Sequence, residues 1–198
     1  MRLSGRTRGI HLSAQGRAEA DRVGRGLAGE PLAVIYSSPL ERAVETAVAI
    51  ARHQQTDVEV LEELSEIDFG DWTGKTFAEL EHDRGWHIFN TRRSTASIPH
   101  GESAVATQAR MVTLMRTLTQ AHQGQRIALV SHGDPLRYAV LHLAGVPLDR
   151  YDDVQILPAS VSAVLWLPDG PRLLYVNDRR FAEGMTDDAG AIDHTWGK

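Results

Sequence analysis

Ile127-Ala-Leu-Val-Ser-His-Gly-Asp-Pro-Leu-Arg137 decides how the rest of the chain is read. Four apolar residues, Ile127 to Val130, are too few for a helix and too unbroken for a half-exposed strand, so they predict a buried parallel strand. The strand ends at Ser131-His132-Gly133. Asp134 suits an N-cap and Pro135 the first helical position, where its missing N–H is harmless, so a helix is expected from there to about Gly145. His132 is thereby placed at the carboxyl end of a strand, facing a helix N-terminus. In an open α/β sheet that edge binds ligands, and helix N-termini favour anions. Taken alone, a histidine in a βα loop reads more readily as a satisfied structural residue, so other elements must decide.

Working outward, Leu32 to Tyr36 forms a second apolar run, and it feeds directly into Ser37-Ser-Pro-Leu-Glu-Arg42. Ser38 with Glu41 three residues on predicts a capping box, Pro39 the first helical position, and Arg42 a place in the opening turn. Before this unit, Ser13 caps a helix expected over Ala14 to Ala28, and residues 1–12 carry no periodicity and read as a loop. After it come a strand over Asp57 to Leu61, a Gly-punctuated acidic and aromatic loop from Leu64 to Gly74, and a short helix from Phe77 to about Asp83. Arg84 to Ser103 is irregular, the pattern of a lid or a mobile segment. A long helix runs from Ser103 to about His122 with Met111, Met115 and Leu118 on its buried face. Val161 to Leu167 and Arg172 to Asn177, about Pro168-Asp-Gly-Pro171, read as a hairpin at a sheet edge, and residues 179–198 as an irregular tail. Strands alternating with helices make this one α/β domain, 1–198, around a mostly parallel sheet.

The chain has 198 residues, 21 Lys and Arg against 26 Asp and Glu, a net charge of −5 and no cysteine. No block of like charge marks a nucleic-acid surface. Without cysteine there is no disulfide, Cys-ligated zinc or thiol nucleophile, and a cytoplasmic location is the default. No apolar run approaches the roughly 20 residues that span a bilayer. There is no Gly-x-Ser-x-Gly elbow, Gly-x-x-x-x-Gly-Lys loop or His-Glu-x-x-His pair, and the nine histidines lack metal-ligand spacing. Neither a metal nor a cofactor is expected. What does recur at strand ends is a set suited to phosphoryl transfer: Arg42 as a planar cation, Glu66 as an acid whose pKa burial beside Phe69 and Trp72 would raise, and His132. Singly, Arg42 is equally a helix-surface arginine, and Glu66 reads more readily as a solvated carboxylate. Asp68 and Asp71 are weaker candidates for the acid.

Taken together, Ser37-Ser-Pro-Leu-Glu-Arg-Ala43 with Glu45-Thr-Ala47, Leu64-Ser-Glu-Ile-Asp-Phe-Gly-Asp-Trp-Thr-Gly74, Gly101-Glu-Ser103 and Val130-Ser-His-Gly133 resemble the histidine phosphatase superfamily, the phosphoglycerate-mutase-like proteins. The resemblance implies a three-layer α/β/α sandwich and reaction through a phosphohistidine on a small phosphorylated metabolite. It implies Arg42 as phosphate clamp, Glu66 as proton donor, and His132, with Gly133 beside it, steadying the transferred group. Ser4-Gly5 resembles the substrate-contacting loop that follows the family's first motif. That motif, an Arg-His-Gly carrying the nucleophilic histidine and a second phosphate-binding arginine, is absent. By the family pattern it would lie about ten residues before Met1, after a strand of roughly 5–6 residues. His11 falls in a later segment and does not stand in for it. Two expectations follow. Either Met1 lies inside a longer phosphatase or phosphomutase, or the chain is a catalytically inactive module that binds a phosphate ligand. In a mutase, the 84–103 segment would exclude water as a lid, and Arg92 and Arg93 would read a second anionic group, unless they are merely solvated.

Overall fold

In the computed structural model, which describes residues 2–183, strand β1 (Val34–Ser37) lies between β2 (Val58–Val60) and β3 (Ile127–Val130) in a parallel sheet of order β2-β1-β3. All of β1 is buried, and its side chains alternate between the two faces as a strand's period of two requires. Val34 and Tyr36 join Met111, Leu114 and Leu118 of α5 (Ala104–Ala121) and Ala139 of α6 (Gly133–Leu143). On the opposite face Ile35 joins Val23 of α1 (Ala14–Gly26) with Ala47 and Ile50 of α2 (Glu41–Ala51). Helices thus cover both faces of the sheet, which gives the α/β domain that the alternation of elements predicts in the three-layer form that the resemblance implies.

The hairpin stands apart from this sheet. Strands β4 (Val161–Leu167) and β5 (Gly170–Asp178) pair antiparallel across the Pro168-Asp169 turn. Among the described residues β3 pairs only with β1 and β4 only with β5, so the strands form a group of three and a group of two. The expectation that β3 is buried is corrected accordingly: all of its residues, and all of β4's, are only half-buried. Even so, Ala128 and Val130 of β3 and Val161 of β4 pack against the same apolar cluster as Ile35.

Several local expectations change. Ser38 and Glu41 form no capping box: α2 begins at Glu41 after an N-cap Leu40 that has no side-chain bond, and Pro39 precedes the helix. The hydroxyl of Ser38 is engaged by His132 instead. Asp134 is not the N-cap of α6 either. His132 holds that position, and Asp134 lies in the first turn, where its charge suits the helix dipole while its carboxylate accepts the Tyr151 hydroxyl. The 84–103 segment is not irregular throughout. After α3 (Phe77–Leu80), Asp83 accepts from the Gly85 and Trp86 amides at 2.8 and 3.2 Å and starts α4 (Arg84–Thr91). The helix expected over Phe77 to about Asp83 therefore ends earlier, and Asp83 caps the helix after it. Phe89 of α4 seals a third apolar cluster with Trp72, Leu80, Tyr138 and Leu141. The expectation of an irregular tail is corrected at its start, because α7 (Arg180–Glu183) packs Phe181 against Gly26 of α1 and buries Ala182; the rest of that expectation, residues 184–198, lies outside the described residues. No helix among the described residues is long and apolar enough to cross a membrane.

Candidate active site

Parallel pairing brings the carboxyl ends of β1 and β3 side by side, where the Ser38 amide donates to the Val130 carbonyl at 2.9 Å. The two residues that follow these strands then meet: His132 Nε2 lies 2.7 Å from Ser38 Oγ, and both side chains are buried. Ser131 Oγ donates to the Leu64 carbonyl at 2.7 Å, tying the loop after β2 to the same edge. That loop carries Glu66, half-buried, whose Oε1 accepts from the Ile67 amide at 3.0 Å.

Arg42 reaches in from the first turn of α2. Its Nη2 donates to the Gly5 carbonyl at 2.9 Å, and its buried Nη1 has no protein partner. A guanidinium that spends one nitrogen on the protein and keeps the other free is positioned to hold an oxyanion. Gly5 is held at φ +47, and a Cβ there would come within 3.0 Å of Thr73 Oγ1, so both backbone and space require glycine. Ser4 stands next to it, its carbonyl accepting from Thr7 N at 2.9 Å. Gly133 opens α6 with clear space where a side chain would be.

The electrostatics assign protonation states. Burial pushes the Glu66 carboxyl up to about 8, and the charge of Asp134 adds to this, outweighing the Ile67 amide, Arg42 and Arg110. Burial likewise pushes the His132 imidazole down to about 3, helped by the charges of Arg42, Arg110 and Arg6. Near neutral pH the site therefore offers a protonated acid, a neutral imidazole and a guanidinium with a free nitrogen. A bound dianion would favour the charged imidazole.

Of the residues expected from sequence, Arg42, Gly5, Glu66 and His132 converge here. Asp68 and Asp71 do not: Asp68 closes its own turn onto Gly70 N at 2.9 Å, and exposed Asp71 pairs with His100. Arg93 is buried rather than free to read an anion, with its guanidinium 3.5 Å from the Tyr151 ring centre. His11 is exposed and pairs with Glu45 of α2. Sequence reasoning missed Ser38 as the partner of His132, and it missed Arg6 and Arg110. Nothing local signals these two, because α5 and the N-terminal loop meet only in the fold. Glu102 was visible only as part of the Gly101-Glu-Ser103 motif.

Comparison with known proteins agrees with this geometry. A sequence profile of the histidine phosphatase superfamily (branch 1) matches residues 1–179. The chain belongs to that superfamily. A phosphoserine phosphatase of Hydrogenobacter thermophilus is 30% identical over 155 residues, 77% of this chain and 74% of that protein. An uncharacterised protein of Mycobacterium tuberculosis is 33% identical over 181 residues, 88% of this histidine phosphatase chain and 86% of its own. Among solved structures, a mutant phosphoserine phosphatase of Entamoeba histolytica in complex with phosphoserine superposes with a TM-score of 0.82 at 28% identity, covering 91% of this chain and 90% of that one. A mycobacterial glucosyl-3-phosphoglycerate phosphatase superposes with a TM-score of 0.78 at 25% identity, covering 89% and 91%.

Proposed function

We propose that this histidine phosphatase chain is the greater part of a cytoplasmic enzyme that hydrolyses a small phosphate monoester through a phosphohistidine, and that the nucleophilic histidine belongs to an Arg-His-Gly segment upstream of Met1. The observation that carries the proposal is the buried Nη1 of Arg42, left without a protein partner at the strand-end edge that also carries His132 and Glu66. Relatives named for phosphoserine and for glucosyl-3-phosphoglycerate support a substrate class of phosphate esters that also bear a carboxylate.

In the forward step the imidazole nitrogen of the upstream histidine attacks phosphorus in line as the ester P–O bond breaks. Glu66 gives its proton to the departing alkoxide, while Arg42 and His132 hold the non-bridging oxygens. Water then attacks the phosphohistidine, the P–N bond breaks, and Glu66 takes the proton from water. Partnered histidines elsewhere are engaged away from the site: His53 with Asp21, His87 with the Glu81 carbonyl, His100 with Asp71 and His122 with Tyr36. Among the described residues β3 pairs only with β1, which supports this reading: an upstream strand parallel to β3 on its other side would end beside His132.

The test is to extend the chain by the roughly 15–20 in-frame codons before Met1, enough for one strand and the motif. Phosphate release from phosphoserine, 3-phosphoglycerate and p-nitrophenyl phosphate is then measured. The extended protein is expected to turn over, and to lose turnover on His132→Ala or Glu66→Gln. The 198-residue chain should bind inorganic phosphate without turnover. An extended protein that carries the motif and binds phosphate but releases none would leave only the ligand-binding reading.

A further inference from the structure

The Gly101-Glu-Ser103 motif has no part in the chemistry above, yet each of its residues is tightly placed. The Gly101 and Glu102 backbone runs against the turn at 68–70: Glu102 N donates to the Asp68 carbonyl at 2.8 Å, and a Cβ on Gly101 would fall 2.4 Å from that same oxygen. Ser103 caps α5, its Oγ accepting from Ala106 N at 3.1 Å. Between them, Glu102 holds two guanidiniums. Arg110 meets it in a fork, Nε to Oε1 and Nη2 to Oε2, both at 2.9 Å, and Arg6 Nη2 donates to Oε2, also at 2.9 Å.

Both arginines then reach past Glu102 to one stretch of backbone. Arg110 Nη1 donates to the Glu63 carbonyl and, at 3.0 Å, to the Ser65 carbonyl. Arg6 Nε donates to the Glu66 carbonyl at 2.7 Å. We infer that Glu102 is the positioning residue for the proton donor: through Arg6 and Arg110 it fixes the backbone carbonyls that flank Glu66 and so keeps the Glu66 carboxyl folded inward. The inference rests on the reading of Glu66 as the acid. Burial opposes the charge on Glu102, but the hydrogen bond and charge of Arg110 and the charge of Arg6 hold its carboxyl below the usual range, so it is the anion this brace requires. Without it, two cations would lose their shared counter-ion beside a half-buried loop.

The charges that act on the Glu66 carboxyl are those of Asp134 from α6, Arg42 from α2 and Arg110 from α5, and the Ile67 amide donates to it. Glu102→Gln removes the counter-ion and loosens the loop. Extra uncompensated positive charge and better hydration both lower the Glu66 midpoint. The experiment is a carboxyl-carbon NMR titration of the 198-residue chain, which needs no turnover. Glu102→Gln is expected to shift the Glu66 midpoint down by about one unit or more, while distant Asp21 stays where it is. A loss of melting temperature with an unmoved Glu66 midpoint would make Glu102 a structural brace only and overturn the inference. If Glu102→Gln does not fold, Arg6→Lys decides, because Arg6 is exposed and the substitution keeps its charge while removing the guanidinium bond that holds the Glu66 carbonyl. A smaller downward shift supports the inference, and no shift overturns it. Because the titration is independent of catalysis, an extended chain that never turns over would sink the phosphatase reading while leaving this result intact.

Discussion

Arg42→Ala separates a phosphate clamp from a structural arginine, and its effect can be worked from the geometry. The side chain makes one hydrogen bond within the protein, from Nη2 to the Gly5 carbonyl, and leaves Nη1 buried and unpaired. A buried donor without a partner is uncomfortable in the free protein, so an oxyanion that fills it gains a charge-assisted bond against little competition. Such a bond contributes about 1.5–3 kcal/mol, so its loss should weaken inorganic phosphate binding by about 10- to 150-fold. Arg42→Lys keeps the charge but not the fork. It cannot hold the Gly5 carbonyl and the ligand together, and its affinity should fall between the two. Isothermal titration of the 198-residue chain with phosphate at low ionic strength reads the effect without catalysis. Binding of Arg42→Ala within about threefold of the parent, less than one such bond is worth, would refute the clamp and leave Arg42 as an anchor for the Gly5 loop.

The raised Glu66 pKa makes a stability prediction with a definite sign. A carboxyl pushed up to about 8 is more protonated in the folded than in the unfolded chain, so its burial destabilises increasingly as pH rises from the ordinary glutamate range through that value. Glu66→Gln should therefore melt within about a degree of the parent at pH 5 but a few degrees above it at pH 9, seen in thermal scans, while abolishing turnover of the extended protein. Asp134→Asn removes the neighbouring charge that helps hold the proton on Glu66 and should lower the Glu66 midpoint in the NMR titration. Arg93→Met removes the 2.8 Å bond to the buried Tyr138 hydroxyl and the stack on Tyr151; it should lower unfolding free energy in urea by about 1–3 kcal/mol without changing phosphate affinity. Ser38→Ala frees the imidazole of His132 from its 2.7 Å partner and should weaken phosphate binding several-fold, again by calorimetry.

What the sequence disclosed was what neighbouring residues decide. Ser13 and Ser103 cap their helices as read, because a cap is a bond across three residues. The apolar run 127–130 pairs parallel to β1 as its unbroken pattern implied. Readings failed where a distant group claimed a side chain first. Ser38 has the neighbours of a capping box, but His132, 94 positions away, takes its hydroxyl. Asp134 has the place of an N-cap, but Tyr151 takes its carboxylate. Arg93 reads as a solvated lid residue until Phe89, Tyr138 and Tyr151 enclose it. The candidate site divides along the same line. The family motifs held Arg42, Glu66 and His132, while the Arg6 and Arg110 brace joins residues 104 apart in numbering and has no local pattern to read.

On the proposed reading, the upstream segment has a structural role beside its chemical one, because among the described residues β3 pairs only with β1 and β4 only with β5. A half-buried four-residue strand that, among the described residues, pairs on one side only lies at a sheet edge beside an apolar cluster, and natural sheets cover or pair such edges. Val161 of β4, a strand that among the described residues pairs only with β5, packs against that same cluster. A strand seated beside β3 and parallel to it would pair with β3, cover the cluster that Ala128 and Val130 border, and end beside His132. Folding and chemistry would then depend on a single element. Restoring that element should raise the melting temperature and start turnover together, whereas a segment that supplied only the nucleophile would give turnover with the stability unchanged.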